Sequence, residues 1–133
     1  YAEISPTSLC NYKCSFCAFD FRKNKDELEY FKIIGVVLKM KDLGLKSVMF
    51  GGEGEPLLHK NMVNINEEFS KYGLDTAFTT NGYYLNTEKI ASILPYTKWI
   101  KNYKSVLKVM IPKENLLQWI EQAKELKKEI LCN

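Results

Sequence analysis

The sequence has little of what marks a membrane protein, a secreted protein or a nucleic-acid-binding protein. No apolar run approaches the ~20 residues that a membrane-spanning helix needs, and no secretory leader pattern opens the chain. The 133 residues include 19 Lys and Arg against 16 Asp and Glu, so the net charge is only +3. Such a small charge gives no argument for a nucleic-acid partner. We therefore expect a protein that acts on neither membranes nor nucleic acids.

Cysteine and histidine are also scarce, with four Cys and one His in the chain. Three of the cysteines fall between Cys10 and Cys17, whereas a disulfide framework usually spreads its cysteines to join distant segments. We interpret the clustering as metal or cluster ligation in a reducing, cytoplasmic compartment. Because residue 1 is Tyr rather than Met, we also expect further residues upstream.

Apolar periodicity predicts strands that alternate with helices. The predicted strands are 2–8, 46–50, 74–79 and 96–101, and the predicted helices are 26–43, 59–72 and 87–94. In the first helix, the apolar residues at one spacing are Leu28, Phe31, Ile34, Leu38 and Leu43. Alternation of this kind implies an α/β fold with parallel strands and crossover helices. Ligands of such folds bind at the carboxyl edge of the strands.

The alternation changes after the fourth predicted strand. Residues 105–111 form another strand-like run with no helix before it, and a long helix is predicted at 113–129. A connection this short cannot join two parallel strands. Either the two strands form a local antiparallel pair, or a segment is absent. We favour a missing segment near residues 100–105, and we treat residues 1–133 as one incomplete domain.

The clustered cysteines have the spacing C-x3-C-x2-C, at Cys10, Cys14 and Cys17. Three thiolates on one loop can hold three corners of a [4Fe–4S] cluster and leave the fourth iron for a cofactor or substrate, whereas most such clusters take four cysteines. The alternative metal is zinc, whose structural sites need four protein ligands. His59 or Cys132 would have to complete that site, and neither lies in a motif.

Two further motifs accompany the cysteines. The run GGEGEPLL at 51–58 follows the second predicted strand, and the run TTNG at 79–82 follows the third. The cysteine motif itself has an aromatic residue, Phe16, directly before its third cysteine. In this order and on these loops, the three motifs resemble those of the radical S-adenosylmethionine (SAM) superfamily. The resemblance covers about residues 2–100.

This resemblance implies the N-terminal part of a radical SAM core domain, which is a partial, open parallel β/α barrel and would be incomplete in this chain. It implies an enzyme whose cofactors are a [4Fe–4S] cluster and SAM. The open iron would bind the amine and carboxylate of SAM, and one electron would cleave the sulfonium to give methionine and a 5′-deoxyadenosyl radical. That radical would abstract hydrogen from a substrate, for which we favour a peptide or protein. The electron would come from an external donor of the flavodoxin or ferredoxin type.

The resemblance also implies roles for individual residues. Cys10, Cys14 and Cys17 would ligate iron, and Phe16 would lie beside the adenine of SAM. The residues implied as SAM contacts are Phe16, Gly51, Gly52, Glu53, Gly54, Glu55, Thr80 and Asn81. A carboxylate suits the ammonium group of SAM in either register of the glycine loop, and we favour Gly54 and Glu55 for the direct contact. Thr80 and Asn81 would lie near the ribose or the methionine end.

Two other functions remain open at this stage. A non-enzymatic iron–sulfur or zinc-binding module would have a fourth protein ligand and would not bind SAM. A degenerate partner subunit would bind SAM without cleaving it. The sequence also departs from the family pattern, because no counterpart of the polar SAM contact on the fourth strand is evident after Trp99. We expect His59 to flank the second helix and Cys132 to be an ordinary thiol.

Overall fold

The computed structural model describes residues 1–14, 17–19, 25–84, 88–102 and 110–112. Its elements, in chain order, are β1 (Ala2–Ile4), α1 (Tyr30–Asp42), β2 (Ser47–Phe50), α2 (Met62–Lys71), β3 (Asp75–Thr80), α3 (Glu88–Ile93), β4 (Thr97–Asn102) and β5 (Met110–Pro112). Short 3-10 helices precede α2 at Pro56–Leu58 and follow α3 at Leu94–Tyr96. Within the described ranges, no helix has the length and apolar character needed to cross a membrane.

The strands form one open sheet in the order β1-β2-β3-β4-β5. The first four strands are parallel, and their register aligns Ile4 with Phe50, Phe50 with Phe78, and Phe78 with Ile100. Each connection between these strands passes over the sheet through a helix, as parallel pairing requires. The predicted α/β fold with an open parallel sheet is therefore confirmed.

The fifth strand pairs antiparallel with β4, and Lys101 lies opposite Met110. This pairing is one of the two arrangements that the sequence left open. The connection, 103–109, lies outside the described residues, so the missing segment near 100–105 stays a prediction. The predicted helix at 113–129 and the Cys132 thiol also lie outside them.

The core lies between one face of the sheet and the helices. Phe50 and Phe78 come from neighbouring strands with ring centres 5.0 Å apart, and Phe69 of α2 stacks on Phe50 at 5.8 Å. All three rings are fully buried, as is Val37 of α1. Burying each such side chain contributes roughly 1.5–3 kcal/mol. This core fixes the strand ends, from which the loops of the site extend.

The first helix is shorter than the predicted 26–43, and its most buried residues are not among the apolar residues named from the spacing. The helix begins at Tyr30, and its buried residues are Ile33 and Val37, whereas Phe31 is 81% exposed and Leu43 is 90% exposed. The segment before it is extended instead, and Leu28 donates its backbone N–H to the carbonyl of Pro6. Since apolar residues surround much of this helix, spacing alone could not identify the side that faces the sheet.

Candidate functional site

Three loops meet at the carboxyl edge of the sheet. The cysteine loop, described at residues 5–14 and 17–19, follows β1; the glycine loop, residues 51–55, follows β2; and the turn at 81–84 follows β3. Parallel strands end at the same edge, so this topology brings together the three motifs found in the sequence.

The cysteine loop presents thiol groups at this edge. Cys10 and Cys17 are exposed, Cys14 is half-buried, and none of the three forms a disulfide. The backbone N–H of Cys17 donates to the carbonyl of Cys14 at 3.0 Å. Among the described residues, no three His, Cys, Asp or Glu side chains converge as ligands of one metal ion. Phe16, predicted beside the adenine, lies outside the described residues.

The glycine loop packs directly against the backbone that leads into Cys10. The N–H of Glu55 donates to the carbonyl of Leu9 at 2.8 Å. A Cβ atom at Gly54 would overlap the carbonyl oxygen of Thr7 and lie 2.5 Å from that of Leu9. Only glycine allows such a close approach of two backbones. The position of the first cysteine is therefore tied to residue 54.

Ser5 supports the same loop from the end of β1. Its Oγ accepts a hydrogen bond of 3.0 Å from the backbone N–H of Glu53. Gly52 has a φ of +86°, and a Cβ there would overlap Ser5 Oγ. Ser5 was not among the predicted site residues, because a serine 48 residues away along the chain carries no local signal of this contact.

The carboxylate of Glu55 points into the protein. It is 1% exposed. Its Oε1 accepts from the N–H of Leu57 at 3.1 Å and from Thr80 Oγ1 at 2.8 Å, and its Oε2 accepts from the N–H of Asn81 at 2.7 Å. Burial raises the pKa of Glu55, although these hydrogen bonds oppose the shift. Glu55 therefore joins the glycine loop to the end of β3.

The two glutamates of the glycine loop thus differ in environment. Glu53 is partly exposed, whereas both oxygens of Glu55 already accept hydrogen bonds from inside the protein. A carboxylate that contacts a bound ammonium group must be accessible to the ligand. Glu53 is therefore the more accessible of the two to a ligand, and the preference for Glu55 drawn from the sequence stays a prediction.

A buried histidine and a lysine support the loop from below. His59 is fully buried, its Nε2 lies 2.8 Å from the carbonyl of Leu28, and its Nδ1 accepts from the N–H of Asn61. Since Nδ1 accepts, Nε2 carries the proton and donates. Lys89 donates to the carbonyl of His59 at 3.0 Å, and burial lowers the pKa of Lys89, while Glu27 and Glu55 oppose that shift. His59 flanks α2 as predicted, and its contacts are structural.

The predicted pair Thr80 and Asn81 reaches both of the other loops. Thr80 is 1% exposed and is committed to Glu55. The Nδ2 of Asn81 donates to Asn11 Oδ1 at 2.9 Å and lies 3.8 Å from Cys10 Sγ. The structure therefore brings Cys10, the glycine loop and Asn81 together at one edge.

Comparison with known proteins identifies a family. The family model described as "Radical SAM superfamily" matches residues 4–129. A GTP 3',8-cyclase from Campylobacter fetus subsp. fetus is 34% identical over 91 residues, which are 64% of this chain and 28% of that protein. A GTP 3',8-cyclase from Hydrogenovibrio crunogenus is 32% identical over 98 residues, which are 68% of this chain and 29% of that protein. The chain spans less than a third of the length of these relatives.

Solved structures show the same fold. BtrN in complex with AdoMet and 2-DOIA superposes with a TM-score of 0.61 and 22% identity, over 74% of this chain and 43% of that one. BtrN in an open conformation gives a TM-score of 0.63 and 20% identity, over 79% and 50%. At this identity the likeness concerns the fold alone.

Proposed function

Since the chain belongs to the radical SAM superfamily, we propose that Cys10, Cys14 and Cys17 ligate three irons of a [4Fe–4S] cluster at the carboxyl edge of the sheet. Members of this family use that cluster together with SAM. The donor set fits the cluster, because thiolates are its usual ligands and three of them leave one iron open. The observation that carries the proposal is the contact of Gly54 with the backbone just before Cys10.

The glycine loop is the proposed receptor for the methionine end of SAM. Glu53 offers a partly exposed carboxylate beside the backbone of Gly52, and a carboxylate forms strong charge-assisted hydrogen bonds with an ammonium group. Ser5 holds the backbone of Glu53 from one side. Glu55 and Thr80 are buried and hydrogen-bonded to each other, so they support the loop and are not proposed to contact SAM. We keep Phe16 as the proposed neighbour of the adenine.

When bound, the cluster and SAM would supply a 5′-deoxyadenosyl radical able to abstract hydrogen from a substrate. The residues of this chain contribute position and shielding. A primary alkyl radical attacks most C–H bonds, so its site must exclude water and hold the target close. The buried contacts of Glu55, Thr80 and His59 serve this purpose by keeping the loops rigid.

The substrate from which the radical would take hydrogen is not restricted to peptides by the comparisons with known proteins. The preference for a peptide or protein rests on no feature of the described residues and stays a prediction. The relatives carry the name of an enzyme that acts on GTP, so a purine nucleotide belongs beside a peptide among the substrates to test. We also propose an external electron donor of the flavodoxin or ferredoxin type, because an isolated cluster needs a supply of single electrons.

The experiment is anaerobic reconstitution of the full chain with iron and sulfide, followed by addition of dithionite and SAM. We expect four irons per chain. We also expect 5′-deoxyadenosine and methionine to form, and mass spectrometry would detect both products. The matched control is C14A, which removes one proposed ligand and should abolish both products. SAM binding without products in the cluster-loaded chain would point to a degenerate subunit, and a zinc-loaded chain that does not bind SAM would point to a non-enzymatic module.

A further inference from the structure

We propose that Asn81 is a positioning residue that donates an N–H···S hydrogen bond to the Cys10 thiolate and thereby raises the reduction potential of the cluster. The inference rests on the proposed function, since it requires that Cys10 ligate iron. It assigns to the residue after β3 a role towards the cluster rather than towards SAM.

The orientation of the Asn81 carboxamide is fixed by its neighbours. Its Oδ1 accepts a hydrogen bond of 3.0 Å from the backbone N–H of Tyr83, which closes an Asx turn. Its own backbone N–H donates to the buried carboxylate of Glu55. Because a backbone N–H can only donate, the oxygen of the carboxamide must face Tyr83, and its nitrogen faces the cysteine loop.

The nitrogen has two hydrogens and two acceptors within reach. One acceptor is Asn11 Oδ1 at 2.9 Å, and the other is Cys10 Sγ at 3.8 Å. The cysteine loop and the turn after β3 lie 71 residues apart along the chain, so this contact depends on the fold and not on local sequence. It places a fixed N–H dipole beside one of the proposed sulfur ligands.

A hydrogen bond to a ligating sulfur favours the reduced cluster. Reduction adds an electron to the cluster, and part of the added negative charge resides on the thiolate sulfurs. An N–H group aimed at such a sulfur therefore stabilises the reduced form more than the oxidised form, and hydrogen bonds to the sulfurs are among the factors that set the potentials of these clusters. In a radical SAM site, a higher potential eases electron entry from the donor.

Two variants test this role, N81S and N81D. A serine hydroxyl can still accept from the N–H of Tyr83 and keep a turn, but it is too short to reach Cys10. An aspartate keeps the acceptor and nearly the same shape, and it places a negative charge where the N–H had been. We expect N81S to lower the ratio of reduced to oxidised cluster about tenfold at a fixed potential. This change corresponds to a midpoint potential lower by ~59 mV for a one-electron couple. We expect N81D to lower it further.

The measurement is a redox titration of the reconstituted full chain. Electron paramagnetic resonance of the reduced cluster monitors the titration, and the iron content of each sample is determined. The matched control is N11A, which removes the other acceptor of the same nitrogen, leaves the contact with Cys10 in place, and should shift the ratio by less than about twofold. An unchanged midpoint in both Asn81 variants, at full iron content, would overturn the inference. A wild-type chain that holds no [4Fe–4S] cluster would overturn the proposed function itself, so the two failures are distinguishable.

Discussion

The carboxylate of Glu55 accepts a hydrogen bond of 2.7 Å from the backbone N–H of Asn81. Glu55 belongs to the loop after β2 and Asn81 to the loop after β3. The side chain of Glu55 is buried. A buried carboxylate is costly unless it is well hydrogen-bonded, and this one accepts three hydrogen bonds. The contact therefore makes the glycine loop and the turn at 81–84 one structural unit, with the proposed cluster ligands beside it.

We predict that G54A destabilises the chain and impairs cluster loading. The added methyl group would overlap the carbonyl of Thr7 and crowd that of Leu9, and these are backbone atoms of the segment leading to Cys10. Overpacking of this kind costs about 1–3 kcal/mol. Urea denaturation would measure the loss in the free energy of unfolding, and an iron assay would measure the reduced loading.

The matched control for this prediction is G35A. Gly35 lies in α1, and nothing lies within 4 Å of a Cβ added there. Replacing a glycine in a helix by alanine stabilises it by about 0.5–1 kcal/mol. We therefore expect G35A to raise the stability and leave iron loading unchanged. Equal behaviour of the two variants would contradict the close packing at Gly54.

We predict that E53Q weakens SAM binding. The partly exposed carboxylate of Glu53 is the proposed partner of the SAM ammonium group, and hydrogen bonds to charged groups contribute about 1.5–3 kcal/mol. We therefore expect the Kd for SAM, measured by calorimetry on the cluster-loaded chain, to rise at least about tenfold.

Glu67 of α2 supplies the control for this prediction. Its carboxylate pairs with Lys71 on the surface of the same helix, 3.1 Å away, so E67Q should leave the Kd for SAM unchanged. If E53Q bound SAM as tightly as the wild type does, the proposed contact between Glu53 and the ammonium group would be contradicted.

We predict that Glu55 makes the chain less stable as the pH rises. The ordinary pKa of this side chain is 4.5, and burial raises the pKa of Glu55 in the folded state. The folded chain therefore holds the proton to a higher pH than the unfolded chain does. Between these two pKa values the folded state binds more protons, so the free energy of unfolding falls with rising pH. The contribution of Glu55 is fully present below pH 4.5 and is lost as the pH rises through the folded pKa.

The measurement is urea denaturation of the wild type and E55Q, without added iron, at a series of pH values from 4.5 up to neutrality. The amide does not titrate in this range, so the difference between the two curves isolates Glu55. We expect the stability advantage of the wild type to shrink as the pH rises. A difference that stays constant or grows with pH would contradict a raised pKa.

The sequence was sufficient to predict the parallel part of the fold. The strands β2 and β3 follow glycines at Gly44 and Gly73, whose φ values of 100° and 72° end the preceding helices, and each strand is a short run of apolar and β-branched residues. Once the strands are known to be parallel, their motifs must meet at one edge. That inference needs no knowledge of side-chain packing, and the structure confirms it.

The side-chain contacts of the site could not be predicted in the same way. Glu53 and Glu55 are two residues apart in one glycine-rich run, and nothing local indicates that one is partly exposed while the other is buried. The difference comes from Thr80 and Asn81, which are 25 and 26 residues away from Glu55 along the chain. The antiparallel pairing of β5 was only one of two arrangements that the sequence left open, because strand pairing depends on the partner strand and not on a strand's own residues.

The most direct measurement of the central claim is an electron–nuclear double resonance spectrum of the reduced, reconstituted chain, recorded with SAM that carries nitrogen-15 in its amino group. If Cys10, Cys14 and Cys17 hold a [4Fe–4S] cluster and one iron is open, the labelled nitrogen should bind that iron and show a strong hyperfine coupling. A cluster-loaded chain that binds SAM but shows no coupling from the label would mean that the amino nitrogen of SAM does not ligate iron, and it would contradict the account.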